Sequence, residues 1–295
     1  MLEVLILGTA AGGGFPQWNC ACENCILARA GALSQRLQSS VAITGNGRDW
    51  HLVNASPDVG RQIEQFIRPR LEPGDEQRDA PVRSIFLTNA DLDHTLGIFQ
   101  LREGRPLTLV APPSVRQSLE RGPGLSHVVG AYAGLNWLPA PDQWHAVDPT
   151  GLEVRTVPLV GSGPPRYDTT SAAGAHAVGY VFRKDGRTAG IFPDVAVLDD
   201  ALQAELKACD RVWFDGTFWD EDELVRLGFS ARRAADMGHV PISESLPVLS
   251  ALGPDRAEYL HINNTNPVLR PDSEERKRVE SANLRVAVEG GHFVV

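Results

Sequence analysis

The chain has 295 residues, 42% hydrophobic and 22% charged, with a formal net charge of −9. Those values exclude a wholly disordered chain, and the length is enough to bury a substantial core. The acidic balance argues against a nucleic-acid partner, because binding a phosphate backbone needs a Lys/Arg surface.

Residues 3–7 (EVLIL) read as a first strand. Its apolar run is too short to span a bilayer and lacks the basic flank of a secretory signal, so no membrane insertion and a cytoplasmic location are expected. The glycine run GTAAGGG (8–14) does not fit the G-x-G-x-x-G spacing of a dinucleotide turn, and Phe15-Pro16 stand where a helix would begin. Glycines there let the backbone pass close to something, such as the floor of a buried site. Cys20, Cys22 and Cys25 follow at C-x-C-x-x-C spacing on what reads as an irregular loop, about 16–26. Disulfides between such near neighbours would be strained, and clustered thiols in a reducing compartment point to metal. Three thiolates can hold one face of a tetrahedral zinc, the fourth ligand coming from elsewhere.

Short β-branched runs continue at 40–44, 50–54, 84–88 and 107–111, then at 152–157, 179–183, 188–192, 211–215 and 258–262, with a last pair at 284–288 and 292–295. Helical patterns are sparser: 58–66, 94–101, 114–119, 198–207, 222–227 and 243–252. Strands thus come in two sets with helices attached, which predicts two sheets packed face to face and covered by helices. Residues 161–175 lack periodicity, and a loop of that length is often a lid or binding loop.

Residues 87–97, LTNADLDHTLG, crowd Thr88, Asn89, Asp91, Asp93 and His94 at the end of a strand. One aspartate would cap the helix expected near His94, but a single cap leaves the other polar groups unexplained. Asp194 (after GIFP), Asp215 (after RVWF) and His261 (in EYLHINNTNP) stand at later strand ends, and His239 sits in MGHVPISES. His51, His127, His145 and His292 lack such context and read as ordinary surface or core histidines.

Together these residues resemble the metallo-β-lactamase superfamily, where a strand ends in H-x-H-x-D-H and later strand ends supply an Asp and a His. The resemblance covers nearly the whole chain. It implies an α/β (α+β) fold, a four-layer αββα sandwich of two mixed sheets, built as one domain over 1–295. DGTFWD (215–220), GHVPISES (238–245) and LHINN also look like the ribonuclease Z and phosphodiesterase branch, whose members can carry a C-x-C-x-x-C structural zinc loop. The blocks AAGGGFPQWNCACENC (10–25), LVNASPDVG (52–60), LREG (101–104), DGTFWDEDE (215–223), MGH (237–239) and HINNTNPVL (261–269) narrow the resemblance to the coenzyme PQQ synthesis protein B family.

The departures from the superfamily pattern carry information. Aligned on H-x-H-x-D-H, TNADLDH puts Asn89 and Asp91 where the first two histidines stand, and 161–175 supplies no third. His176 is near but out of register. What remains is Asp93, His94 and His261, with Asp194 in the usual bridging position. Two histidines and one carboxylate with open positions is the ligand count of non-haem Fe(II) oxygenases. The resemblance implies a role in PQQ biosynthesis, in which a glutamate and a tyrosine of a small peptide are converted to the coenzyme. The activity expected is O2-dependent hydroxylation of the tyrosine-derived ring of a precursor, alongside other proteins of that pathway. Asp91 and His239 are the candidate acid–base residues. Alternatives are a non-catalytic carrier of PQQ or its precursor toward the periplasm, and a metal-dependent hydrolase. For the zinc loop, related phosphodiesterases place a histidine three residues after the strand-end histidine. Here that position is Asn264, a weak zinc ligand.

Overall fold

The computed structural model describes residues 1–70, 81–169 and 174–295. The strands are β1 (Glu3–Gly8), β2 (Ser40–Thr44), β3 (Trp50–Val53), β4 (Val82–Phe86), β5 (Leu107–Ala111), β6 (Leu135–Pro139) and β7 (His145–Ala146). They continue with β8 (Glu153–Pro158), β9 (Val178–Lys184), β10 (Arg187–Phe192), β11 (Arg211–Asp215), β12 (Ala257–Leu260), β13 (Arg285–Val286) and β14 (His292–Val294). They form two seven-stranded mixed sheets, ordered β14-β1-β2-β3-β4-β5-β6 and β13-β12-β11-β10-β9-β8-β7. In each sheet the strands that lead to the site, β3 to β5 and β10 to β12, run parallel to one another.

Side-chain alternation along each strand builds the layers. In β1, Leu5 and Leu7 point into the core between the first sheet and its helices, while Val4 and Ile6 point into the core between the sheets. In β11, Val212 and Phe214 face the helices of the second sheet and Trp213 faces the other sheet. Three separate apolar cores therefore lie between four layers, which is the αββα sandwich expected from the sequence. Because both faces of each sheet are covered, strands such as β2 and β3 are buried at every position.

The two sheets are also tied by a polar contact close to the site. The Tyr180 hydroxyl on β9 lies 3.0 Å from the Leu87 carbonyl and 3.2 Å from that of Val110, both on the first sheet. Burial raises this phenol far above its ordinary pKa, so it stays a neutral donor.

Most strands lie where the sequence put them, but β6 and β7 were not foreseen. LNWLP is half exposed and ends in proline, so neither alternation nor a continuous apolar run marks it. Helices at Glu23–Arg29, Leu125–Gly130 and Glu274–Ser281 were missed as well. The first changes the reading of the cysteine loop: Cys22 is the helix N-cap and Cys25 lies in the first turn, so these thiols stand on a helix start, not on irregular chain. Of the expected 161–175 loop, residues 170–173 lie outside the described residues. Among the described residues no helix is long and apolar enough to cross a membrane.

Replacing Tyr180 with Phe leaves two buried carbonyls without this donor. It should lower the unfolding free energy by about 1–2 kcal/mol in urea titrations. An unchanged midpoint would mean that the hydroxyl does not join the sheets.

Candidate metal centre

The site forms where loops from both sheets meet at the ends of the parallel strands. The loop after β1 pairs with the segment after β12: Ala11 N–H donates to the Ile262 carbonyl (2.9 Å) and Ile262 N–H to the Thr9 carbonyl (2.8 Å). The loop after β3 interlocks with the helix at Leu92–Thr95. Ala55 N–H donates to the His94 carbonyl (2.8 Å) and Gly97 N–H to the Ala55 carbonyl (3.0 Å). A Cβ on Gly97 would lie 2.1 Å from the Ser56 carbonyl oxygen, so only glycine allows this approach.

Asp93, His94 and His261 are thereby brought together, with one donor atom from each within 4.8 Å of the others. His261 Nε2 is 3.2 Å from Asp93 Oδ2, and His94 Nε2 is 3.8 Å from the same oxygen. Each imidazole is oriented by its other nitrogen. His94 Nδ1 lies 2.9 Å from the Asn54 amide Nδ2 and 3.1 Å from the Thr88 hydroxyl, with Asp194 Oδ2 at 3.4 Å. Asn54 also holds Thr88 by donating to its hydroxyl (2.9 Å) and accepting its N–H (2.9 Å). His261 Nδ1–H donates to Thr217 Oγ1 (2.8 Å), whose hydroxyl donates to Asp215 Oδ1 (2.7 Å). His94 Nε2 is buried with no hydrogen-bond partner.

The backbone supports this arrangement at some cost. His261 and Asn54 adopt the left-handed region, with φ of 61° and 63°. For non-glycine residues that is strain of about 1–3 kcal/mol each, persisting where surrounding contacts over-determine it. A Cβ on Gly12 would meet the Asp93 carboxylate at 3.0 Å, so the glycine run does form a wall of the site.

Asp194 and His239 join from the second sheet. Asp194, His239 and His261 make a second set of three donors within 4.8 Å, sharing His261 with the first. Asn89, standing where the superfamily has its first histidine, donates from Nδ2 to Asp194 Oδ2 (3.2 Å). An amide N–H thus faces the Asp194 carboxylate. His239 Nδ1 lies 2.8 Å from Asp215 Oδ2, and the Val195 N–H fixes the same oxygen at 2.9 Å. Asp215 is fully buried. The sequence marked it as a strand-end residue without giving it a role; its function is to hold both His239 and, through Thr217, His261. Asn54 and Thr217 went unnoticed, since neither residue type nor spacing sets them apart before folding.

Asp91 is the N-cap of the Leu92–Thr95 helix, yet its side chain makes no capping bond. It stands exposed at the mouth of the site. Desolvation by its crowded surroundings, then the charges of Asp93 and Asp194, raise its carboxyl above the usual range. His176 is half-buried and belongs to none of the donor groups found among the described residues.

The charges form an alternating array. Burial alone would raise Asp93, but His94 and His261 outweigh it and hold its carboxyl well below the ordinary value. Burial opposes a charged imidazole at His261, yet Asp194 and Asp93 push it up to about 9. His239 is likewise raised, by Asp215 against burial.

Away from this site, Cys20, Cys22 and Cys25 converge and remain unpaired as disulfides. Asn264 comes to them from the segment after β12, its Nδ2 lying 3.1, 3.6 and 3.4 Å from the three sulfurs in chain order. Burial, with the neighbouring thiols, pushes Cys22 up to about 12, so that thiol resists ionisation unless a cation joins it.

In metal-free protein the raised His261 makes stability fall with pH. Its contribution is complete below its ordinary pKa of 6.5 and is lost as pH rises through about 9. Thermal midpoints measured with chelator between pH 6 and 10 should decline across that window, and His261→Gln should flatten the curve. A wild-type midpoint constant over the window would contradict the charge assignment.

Comparison with known proteins places this geometry. A model of the β-lactamase superfamily domain matches residues 49–262. Coenzyme PQQ synthesis protein B of Cupriavidus necator is 40% identical, with 98% of each chain covered. That of Nitrosococcus oceani is 38% identical, covering 98% of this chain and 99% of the other. Among solved structures, Zn(2+)-bound PqqB from Methylobacterium extorquens superposes with a TM-score of 0.90 at 34% identity, covering 99% of this chain and 100% of that one. A diphosphatase of the PhnP family, at TM-score 0.70 and 18% identity, shares the fold. Full-length identity at this level, on the same four-layer sandwich, means that the chain belongs to the coenzyme PQQ synthesis protein B family of the β-lactamase superfamily.

Proposed function

We propose that the protein acts in PQQ biosynthesis as a mononuclear, Fe(II)- and O2-dependent hydroxylase of the tyrosine-derived ring of a PQQ precursor. The observation that carries this reading is the donor set. Asp93, His94 and His261 converge, while Asn89 and Asp91 replace the histidines that a second metal would need. The residues fit a cation: His94 Nε2 is buried and otherwise unpartnered, and His261 is oriented through its far nitrogen by Thr217, as metal-binding histidines are. Bound iron would supply the one-electron and O2 chemistry that no side chain in the site possesses.

The protein's own groups handle protons and position. Asp215 holds a proton on His239 Nδ1 and keeps the ring cationic to higher pH than usual, making His239 the acid. Asp91 at the mouth, with its raised carboxyl, is the candidate base for a phenolic or catecholic proton. Asn89 fixes Asp194 so that this carboxylate serves one metal as an added ligand, or bonds to substrate.

In this reading Cys20, Cys22 and Cys25 bind a structural zinc, and a half-turn of the Asn264 amide presents its oxygen as the fourth ligand. Such a zinc would tie the segment after β12, and hence His261, to the N-terminal helix.

After anaerobic reconstitution with Fe(II), wild type should carry about one iron per chain at the histidine site and take up O2 only with a tyrosine-derived precursor. Asp93→Ala should lose the iron and the uptake while keeping its circular dichroism and its zinc. Tight binding of PQQ with no uptake under any condition would instead favour the carrier. In a separate comparison, Cys25→Ser should lose about one zinc per chain and melt at lower temperature. Unchanged zinc content in that variant would rule out the thiol site.

A further inference from the structure

A sizeable cavity among the described residues lies away from the metal centre. It encloses about 630 Å3 at the open edge of the sandwich, between β3–β6 of one sheet and β7–β8 of the other. That is within the range of small-molecule sites, about 300–1,000 Å3. Its walls are apolar: Phe86, Val110, Leu138, Pro139, Val147 and Val154. Ser84 on β4 opens into it, five residues before Asn89. At about 3.3 Å per residue this sets the two sites about 16 Å apart along the strand.

One end of the cavity is polar and connected. Ser84 Oγ lies 2.8 Å from His51 Nδ1, and His51 Nε2 lies 3.0 Å from Asp148 Oδ2. The other Asp148 oxygen accepts from the Thr150 N–H (2.8 Å) and hydroxyl (2.5 Å). Although burial opposes it, the His51 bond pulls Asp148 down to about 2, so the carboxylate is ionised. Ionised Asp148 therefore holds a hydrogen on His51 Nε2, and the other ring nitrogen fixes Ser84 in place. Whichever atom donates in that bond, Ser84 Oγ keeps a lone pair that can accept a hydrogen bond from a molecule in the cavity. Asp49 adds a second carboxylate, paired at 2.5 Å with the Arg83 guanidinium. Among the described residues lining this end, two carboxylates stand against one guanidinium, which makes it acidic. The order serine–histidine–aspartate invites a nucleophile reading. However, β4 is a central strand with ladders to β3 and β5, so its N–H groups do not converge on an oxyanion.

We propose that this cavity is a second ligand site, for a neutral or cationic amphipathic molecule with an aromatic or alicyclic body and one hydroxyl or amine donor directed at Ser84. An anion is the wrong ligand for it, because the polar end presents acceptors and surplus negative charge. His51 and Asp148 position Ser84 and do not act on the ligand. The site is independent of the iron reading and stands whether or not that reading holds.

The test uses the full-length, metal-loaded protein with three probes followed by calorimetry: 2-naphthol, 2-naphthylmethylamine and 2-naphthoate. The first two should bind with Kd of about 1 mM or tighter, as expected for ligands of this size. The carboxylate should bind about tenfold more weakly, a difference of about 1.4 kcal/mol. Val154→Trp, which fills the cavity, should abolish binding. Ser84→Ala should weaken 2-naphthol about tenfold, each variant first shown to melt and bind metal as wild type does. Asp93→Ala should leave naphthol binding unchanged. The proposal is overturned if the naphthoate binds as well as the naphthol, if no probe binds, or if binding survives Val154→Trp. Loss of binding in Asp93→Ala would place the probe at the metal mouth and would also overturn it.

Discussion

Two backbone hydrogen bonds, between the loop after β1 and the segment after β12, hold the metal centre together. Thr9 and Ala11 exchange N–H and carbonyl with Ile262, which joins an edge loop of one sheet to a strand end of the other. Asp93 and His94 stand on the first sheet and His261 on the second, and that junction adds to the packed core between the sheets a direct backbone link beside the site. The same junction sets Gly12 against Asp93 and leaves His261 in a left-handed backbone conformation. The strain is maintained because Thr217 and Asp215 grip the ring from behind while the backbone is gripped from the side.

The electrostatics of the site follow from burying several charges in one place. Carboxylates and imidazoles alternate, so each group's neighbours offset the desolvation that would otherwise neutralise it. Asp215 is the anchor of that array: fully buried, it reaches two of the site's histidines, one directly and one through a threonine hydroxyl. Asn89 plays a complementary part by presenting an amide N–H to Asp194. The superfamily pattern places a metal-binding histidine at that position.

Much of the fold and of the site was legible in advance. Short β-branched runs survive as strands because both faces of each sheet are covered, so a continuous apolar signal and a strand coincide. Asp93, His94, Asp194, His239 and His261 stood out because polar residues at strand ends have few structural duties. The failures have physical causes too. β6 is half exposed and proline-ended, and the helix at Glu23–Arg29 is short, so neither carries a period. Asn54 and Thr217 act on site histidines that lie 40 and 44 residues away. His51 gave no sign at all, because its partners Ser84 and Asp148 are distant in sequence and meet it only when the sheets pack.

The sequence by itself determined the layer architecture, the family, the cysteine cluster and the loss of histidines at 89 and 91, since each depends on residue type, order or local spacing. Tertiary structure decided which nitrogen of each histidine faces the site, that Asp91 does not cap its helix, that Asn264 reaches three sulfurs, and that a second cavity exists. All of those depend on the distance between chain segments far apart in sequence. Only the packing of two sheets against each other, and the loops that close their common edge, fixes those distances.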